Sequence, residues 1–291
     1  MAKQNTTLGI WLMVLCIFIF AAQDGISRHL AGTYNVWMVV MIRYWFFAAF
    51  VIAMALRAPQ GFKVAIKSHF LGWQITRGAL LALEICVAVA AFAMIGLIGA
   101  HAIFAAAPLI VAALSGPILG EKVGWRRWSA IGVGMIGILI ILKPGAEVFT
   151  PASILALLAA VMYAVYGILT RYVGRKDSAS VSLFWTGTIG AVVMTAIGPF
   201  FWQNMAPWDW AWMGLLCCTG IISHWLMIKV YEIAEASAVQ PLAYLQLVFV
   251  SIIGVTIFDE TVAPNVILGA AIVVAAGLFT VLRTARLSQR P

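Results

Sequence analysis

FAMIGLIGAHAIFAAAPLIVAALSGPILGE, residues 92–121, decides the fold of this chain, because its pattern returns at residues 231–260 as YEIAEASAVQPLAYLQLVFVSIIGVTIFDE. Each copy begins with small or polar residues, continues as a long apolar run and ends on a glutamate. One offset of 139 residues aligns His101 with Gln240 and Glu121 with Glu260. A repeated stretch of this length indicates duplication of a larger unit.

A second pair of similar segments lies upstream of the first. AAQDGISRHLAG at residues 21–32 aligns with YAVYGILTRYVG at residues 163–174, so that Gly25 matches Gly167 and Gly32 matches Gly174. The two pairs together predict two repeats, residues 1–145 and residues 146–291.

The composition is that of a membrane protein. The 291 residues are 64% hydrophobic and 10% charged, with a mean hydropathy of +1.04, which no soluble domain of this size has the interior to bury. The net charge of +8 comes from basic residues in short loops, so it indicates membrane topology and not nucleic-acid binding. Four cysteines, all in apolar runs and without a CxxC pair, predict no disulfide framework, metal site or cofactor.

Ten apolar runs are each long enough to cross a bilayer, which takes about 20 residues. The first lacks the flanks of a cleaved signal peptide, so we expect it to remain as a helix. The chain is therefore predicted to be an all-α membrane protein, with spans at residues 7–30, 35–56, 69–92, 99–120, 125–142, 151–173, 179–200, 209–232, 236–258 and 264–283.

The Lys and Arg residues predict the orientation of these spans. With the N-terminus inside, 14 of the 18 basic residues flank the inner face, and only Arg28 and Lys143 flank the outer face. This bias predicts a multi-pass protein of the bacterial inner membrane with both termini cytoplasmic. Five spans per repeat is an odd number, so the two repeats are predicted to be inverted around a central cavity, an arrangement typical of secondary transporters.

The chain resembles EamA domains of the drug/metabolite transporter superfamily along nearly its whole length. The resemblance rests on Arg43, Arg77-Gly78, Pro108, Gly120-Glu121 and residues 91–99 and 132–142 of the first repeat, and on Asp259-Glu260 and residues 231–238 and 269–277 of the second. It implies a ten-helix exporter of amino acids or other metabolites, similar to bacterial aromatic amino-acid exporters. Leu216-Cys217 stands where the first repeat has Arg77-Gly78, and Asp259 where it has Gly120.

Charged residues within the spans are the first candidates for a site, because a charge at this depth costs about 2.5–3.5 kcal/mol. Asp24 and Arg28 share a helical face, beside Gln23. They predict either a local ion pair near the outer interface, or a gate or cation-coupling carboxylate. Glu84 is expected to pair with Arg43 or Arg77. Alternatively, Arg43 or Glu84 faces the cavity, where Glu84 would bind a substrate amine or a proton.

Histidines, amides and aromatic residues complete the candidate site. His101 is either a satisfied interface histidine or a site residue, and His224 lies deeper in its span. The aromatic residues near the midplane pack between helices or line a pocket that stacks an apolar ring. The predicted substrate-binding residues are Gln23, Asp24, Arg43, Glu84, His101, Tyr163, Tyr166, Trp185, His224, Gln240, Tyr244 and Gln246.

Glycines in the fifth and tenth spans are interpreted as scaffold. Gly132, Gly134 and Gly137 in one span, and Gly269 and Gly277 in the other, allow these helices to pack on each other or on a second copy, so a monomer or a homodimer is expected.

We therefore predict a secondary transporter, in contact with membrane lipid, that exports small metabolites by alternating access, with aromatic or large neutral amino acids as the first candidates. The alternative is a proton-coupled effluxer of lipophilic cations that depends on Glu84 or Asp24. A passive channel is a further alternative function. An enzyme is disfavoured because no HExxH or GxSxG motif occurs, and GxxxxGK[ST] is absent as well.

Overall fold

A computed structural model of the chain describes residues 6–119, 124–142, 151–233 and 240–288. Those residues form helices and connecting turns without a β-strand. The α-helices are α1 Thr6–Thr33, α2 Val36–Leu56, α3 Phe62–Ala65, α4 Leu71–Phe104, α5 Ala107–Leu119, α6 Trp125–Leu142, α7 Pro151–Val173, α8 Ala179–Ile197, α9 Pro207–Ile233, α10 Leu245–Phe258 and α11 Pro264–Ser288. Two 3₁₀ segments, Gly198–Phe201 and Gln240–Tyr244, extend the ends of α8 and α10.

The all-α class and the ten membrane helices are confirmed. Six of the described helices are long and apolar enough to cross a membrane alone, and three shorter apolar helices lie in α6, α10 and α11. The fourth span consists of the last part of α4 followed by α5. The exposed surface of the helices is rich in large apolar side chains, as a lipid-facing surface requires.

The connection between the third and fourth spans differs from the prediction. Residues 93–98 were expected to be a loop between them, but α4 continues through this region and changes direction at Gly96, with φ 83° and ψ 168°. Glycine adopts a positive φ without the steric cost that a side chain imposes. The chain can therefore turn between two membrane helices at a single residue.

A second irregularity occurs at the same place in both repeats. The fourth span is interrupted at Ala105–Ala106, between α4 and α5. The offset of 139 residues carries Ala105 onto Tyr244, where the 3₁₀ segment of the ninth span changes into α10. Discontinuous membrane helices in corresponding positions are a feature of transporters built from repeats.

The helices of one predicted repeat pack mainly on those of the other. The first helix of each repeat contacts the equivalent two helices of the other repeat. Helix α1 contacts α9 and α10, and α7 contacts α4 and α5. In addition, α2 packs on α8 and α6 packs on α11. Exchanging the two repeats reproduces these pairings, as a twofold relation between them requires. The predicted boundary between residues 145 and 146 lies outside the described residues and stays a prediction.

Glycines bring α6 and α11 into close contact, as expected for the fifth and tenth spans. A Cβ atom added to Gly137 would lie 2.8 Å from the carbonyl oxygen of Gly269, and one added to Gly269 would lie 2.5 Å from that of Gly137. Lipid supplies little hydrophobic drive between helices, so such close backbone approach is a main source of association.

Candidate substrate site

A small, partly open cavity lies between α2, α4 and α9. Its volume of ≈ 40 Å³ admits only a few water molecules. The lining residues are Arg43, Tyr44 and Phe47 of α2, Leu81 and Ile85 of α4, and Cys217, Gly220, Ile221 and His224 of α9. Two of the predicted site residues, Arg43 and His224, are thus brought together.

Gly220 leaves room for polar groups at one wall of this cavity. A Cβ atom on Gly220 would lie 3.3 Å from Oε1 of Gln23 and 3.9 Å from Nε of Arg43. The absent side chain therefore keeps open a space that borders an amide oxygen and a guanidinium group. Sequence reasoning missed Gly220, although its position four residues before His224 puts both on one helical face.

Gln23 has an unused hydrogen-bond acceptor beside this space. Its side chain is 3% exposed, and Oε1 has no hydrogen-bond partner among the residues that the structure describes. Leaving a buried acceptor unsatisfied costs about 1–3 kcal/mol. Such a group is expected where a ligand supplies the missing donor.

Glu84 does not form the ion pair that the sequence suggested. The ion pairs among the described residues include neither Arg43–Glu84 nor Arg77–Glu84, so the interpretation of Glu84 as one half of a local pair is wrong. Glu84 is only 4% exposed, and both Arg43 and Asp24 lie near enough to act on it electrostatically. Glu84 is not among the residues that line the cavity, but it interacts electrostatically with Arg43, which is.

His224 is held in place by its own helix. Its Nδ1 donates a hydrogen bond to the carbonyl oxygen of Gly220 at 2.8 Å. The other ring nitrogen, Nε2, takes no part in this contact. The ring meets Phe20 edge-on and Phe47 at a tilt, with centroid distances of 5.5 and 5.8 Å. Phe20 and Phe47, which the sequence did not single out, are therefore aromatic neighbours of His224.

The predicted Asp24–Arg28 pair is also wrong. Arg28 instead forms an ion pair with Glu260 and lies over the ring of Phe258. Asp24 accepts a hydrogen bond from Nε2 of Gln246 at 2.9 Å and contacts Nε2 of His101 at 3.0 Å. We call Asp24, Arg28, His101, Gln246 and Glu260 the outer cluster, following the predicted orientation.

Glu260 ends the repeated stretch and caps the broken helix. Its carboxylate accepts hydrogen bonds from the backbone N–H groups of Leu97 and Ile98, at 2.7 and 3.0 Å. These amides open the helical segment after Gly96, where a carboxylate satisfies free donors and the helix dipole together. The sequence marked Glu260 as a repeat residue but did not indicate this contact.

Arg77 belongs to a second cluster at the opposite end of the molecule. It is 1% exposed and donates hydrogen bonds to the carbonyl oxygen of Ser182 and to side-chain oxygens of Gln74, Tyr166, Thr170 and Thr186. The predicted site residue Tyr166 is therefore engaged by Arg77. We call these residues, with Ser68, His69 and Asp177, the inner cluster.

The other predicted aromatic residues do not form one pocket wall. Trp185 donates from Nε1 to the carbonyl oxygen of Ile66 at 3.0 Å, near the inner cluster. Tyr244 packs against α11 at Gly277. Tyr163 lies beside Phe104 and Tyr166, with a centroid distance of 5.2 Å to the former and 6.2 Å to the latter. The side chain of Gln240 lies outside the described residues.

A membrane fold of ten helices with charged and polar groups around a cavity defines a transporter of small molecules. A model of the EamA-like transporter family matches residues 7–143 and again residues 150–282. The chain belongs to the EamA-like transporter family. The match covers each predicted repeat in turn.

The chain is similar to transporters of two named substrates. It is 27% identical to an S-adenosylmethionine uptake transporter of Rickettsia bellii over 280 residues, which cover 96% of this chain and 95% of the relative. It is also 27% identical over 288 residues to a riboflavin transporter of Vibrio cholerae, with 95% and 94% covered. A solved crystal structure with 17% identity and a TM-score of 0.62 covers 99% of this chain and has the same fold.

These relatives change the expected substrate. They are named for S-adenosylmethionine uptake and for riboflavin transport, so the expectation of amino-acid export finds no support among them, and neither does drug efflux. The coarser prediction, a small-molecule transporter of the membrane, is confirmed.

Proposed function

We propose that this chain is a secondary transporter of the bacterial inner membrane for a metabolite that joins an α-amino-acid group to a heteroaromatic ring, with S-adenosylmethionine as the first candidate. The observation that carries the proposal is that Arg43 lines the cavity, while the buried Glu84 interacts with it electrostatically and forms no ion pair with it among the described residues. The R. bellii relative, named for S-adenosylmethionine uptake, directs attention to this class.

Charge complementarity supports this choice. Arg43 is half-buried and Glu84 is buried. A charge withdrawn from water without a partner is costly, so each favours a ligand of opposite charge. An α-amino acid presents a carboxylate, which a guanidinium binds with two parallel hydrogen bonds, and an ammonium group, which a carboxylate binds. The unpartnered Oε1 of Gln23 adds an acceptor for a further N–H donor.

The aromatic neighbours suit the other part of such a molecule. Phe47 and Tyr44 line the cavity, and Phe20 lies against His224. Aromatic rings in offset or edge-on contact favour a planar ring by about 0.5–1.5 kcal/mol per pair. A lipophilic cation fits less well, because it has no carboxylate to bind the guanidinium of Arg43.

Transport requires the cavity to open. Sites for small molecules usually have about 300–1,000 Å³, whereas this cavity has ≈ 40 Å³. The outer and inner clusters tie the helices together at opposite ends of the molecule. We infer that the two clusters break in turn during alternating access, which fits the predicted inverted repeats.

Riboflavin is the second candidate, because the V. cholerae relative is named for it and the cavity has an aromatic lining. Its neutral ring system would use Gln23 and His224 rather than the two charges. An aromatic amino acid, the original expectation, would use the same charges as S-adenosylmethionine. The three ligands therefore differ in their dependence on Arg43 and Glu84.

The test is uptake of labelled S-adenosylmethionine, riboflavin and phenylalanine into liposomes that contain the purified protein. We expect saturable S-adenosylmethionine uptake, lowered about 10- to 100-fold by Arg43→Gln or Glu84→Gln, because a charge-assisted hydrogen bond contributes about 1.5–3 kcal/mol. Arg126→Gln, at an exposed position on α6, is the matched control and should transport normally. Riboflavin uptake that neither site variant impairs, without S-adenosylmethionine uptake, would refute the proposal.

Gly220→Ala tests the space in the cavity without changing a charge. Alanine has a helix propensity about 1 kcal/mol more favourable than glycine, so the fold should not suffer from this change. Its Cβ atom would lie 3.3 Å from Oε1 of Gln23, and we expect substrate affinity to fall about tenfold with thermal stability unchanged. Wild-type affinity in this variant would place the substrate elsewhere.

A further inference from the structure

Asp24 and His101 meet in the interior of the outer cluster. Oδ2 of Asp24 and Nε2 of His101 are 3.0 Å apart, and the two side chains are 15% and 7% exposed. The imidazole ring stacks on Phe92 with a centroid distance of 4.7 Å, so its orientation is fixed. The contact joins α1 to the part of α4 that follows Gly96.

The hydrogen bonds of His101 show that this contact contains a proton. Nδ1 of His101 is 3.0 Å from the carbonyl oxygen of Leu97, which can only accept, so Nδ1 carries a hydrogen. Nε2 then faces a carboxylate oxygen. Either an imidazolium donates Nε2–H to Asp24, or a protonated Asp24 donates to a neutral imidazole. In both cases one further proton lies between the two atoms.

We propose that the Asp24–His101 pair is a proton-binding site that holds the outer end closed while it is occupied, and so couples transport to a proton. This function is additional to the proposed substrate and does not depend on which metabolite is carried.

Loss of the proton converts this contact from attraction to repulsion. A neutral imidazole and an ionised carboxylate would then face each other with lone pairs only, and a buried site has little water to screen them. The proton leaves to the outer water when the pair separates, and returns from it when the pair forms again. Its binding and release thus accompany closure and opening.

The surrounding structure allows such a movement. The segment that carries His101 is already separated from the rest of α4 by Gly96, and its first amides are capped by Glu260. Gln246 donates to the same Oδ2 atom of Asp24, which adds α10 to the contact. When Asp24 separates from His101 and Gln246, α1 therefore loses its contacts with α4 and α10 at this position.

The other ionisable groups near this pair are occupied or lie deeper. Glu84 of α4 interacts electrostatically with Asp24. Arg28, one turn further along α1, is neutralised by Glu260, which follows α10. On α2 and α9, Arg43 and His224 line the cavity.

Asp209, near the start of α9, contacts His29 at 3.5 Å and accepts a hydrogen bond from the hydroxyl group of Tyr34. The Asp24–His101 pair is therefore the only direct Asp–His contact between α1 and α4 within the described chain.

The experiment measures opening of the outer end without any substrate. Ser27, between Asp24 and Arg28 on α1, is 1% exposed. A Ser27→Cys variant, with Cys16, Cys86, Cys217 and Cys218 replaced by alanine, is treated in detergent with a charged thiol reagent. A Gln203→Cys variant in the same background, at an exposed position, corrects for the pH dependence of thiol reactivity.

The ratio of the two labelling rates should rise with pH. In a pH series the ratio should rise by at most about tenfold per pH unit, because one coupled proton shifts an equilibrium by that factor. Asp24→Asn and His101→Gln each supply an amide donor that needs no proton, so their ratios should stay constant. His29→Gln, which alters the neighbouring Asp–His contact, should respond to pH as the unmodified background does.

A constant ratio in the unmodified background, or an unchanged rise in both amide variants, overturns the proposal. Because no substrate is added, failure of S-adenosylmethionine uptake leaves this result unaffected, and the reverse also holds. A single symmetric peak in size-exclusion chromatography shows that each variant is folded, and two independent amide variants protect against the failure of one.

Discussion

Asp177 shows how one residue stabilises the inner cluster. It follows α7, and its side chain is fully buried. It accepts hydrogen bonds from the backbone N–H of His69 at 2.7 Å and from the side chains of Gln74 and Ser68. Burial alone raises the pKa of Asp177, but the hydrogen bonds from Gln74, Ser68 and His69 outweigh this effect and hold the pKa at about 2.

The acid stability of the protein should follow from this pKa. The pKa in the folded state, about 2, lies below the ordinary value of 3.8. The contribution of Asp177 to stability is therefore complete above about pH 4 and is lost as the pH falls towards about 2. Asp177→Asn should lower the free energy of unfolding by about 1–3 kcal/mol at neutral pH, because buried donors lose their acceptor.

Thermal unfolding in detergent between about pH 2 and about pH 7 measures both effects. Asp259→Asn is the control, since Asp259 is exposed and asparagine tolerates its left-handed conformation, with φ 52°. If Asp177→Asn retained the acid sensitivity of the wild type, another carboxylate would be responsible for it.

At the level of helices, α6 and α11 depend on two glycines, Gly137 and Gly269. Gly269→Ala would place a Cβ atom 2.5 Å from the carbonyl oxygen of Gly137, so the helices must separate. We expect a loss of about 1–3 kcal/mol, as is typical of overpacking, and a lower melting temperature in detergent. Gly132→Ala on α6 is the matched control, because no heavy atom lies within 4 Å of the added group. Equal melting temperatures for the two variants would show that close approach here contributes nothing.

At the level of the whole molecule, the orientation of the ten helices is a prediction from the positive charges alone. Pro207, at the start of α9, and Lys63, in α3, are both exposed. Single cysteines at these two positions test the orientation in intact cells. Pro207→Cys should react with an impermeant thiol reagent added outside, and Lys63→Cys should react only after permeabilisation. The opposite result would reverse the names outer and inner, and it would place the Asp24–His101 pair on the cytoplasmic side.

The orientation matters because it decides which cluster faces the periplasm. The sequence predicts that Glu260 and Glu121, which end the two copies of the repeated stretch, lie at opposite membrane faces, because the number of helices per repeat is odd. Glu121 lies outside the described residues. The contacts of Glu260 show how such a glutamate ties a broken helix to α1.

The sequence by itself determined the membrane class, the ten helices, the repeated stretch and the glycines that allow close packing of the fifth and tenth spans. These follow from hydropathy, length and glycine spacing, which are local properties of the chain. It also identified Gln23, Arg43, Glu84 and His224 as polar residues at membrane depth, since each is unusual within an apolar run.

Only the tertiary structure decided which polar residues meet. Sequence spacing suggested Asp24 with Arg28, whereas the fold pairs Asp24 with His101 and Arg28 with Glu260. The physical reason is that a buried charge takes the partner that packing brings nearest, and helices distant in sequence supply that partner. Gly220 became informative for the same reason, because the space it leaves exists only where α9 faces α1 and α2.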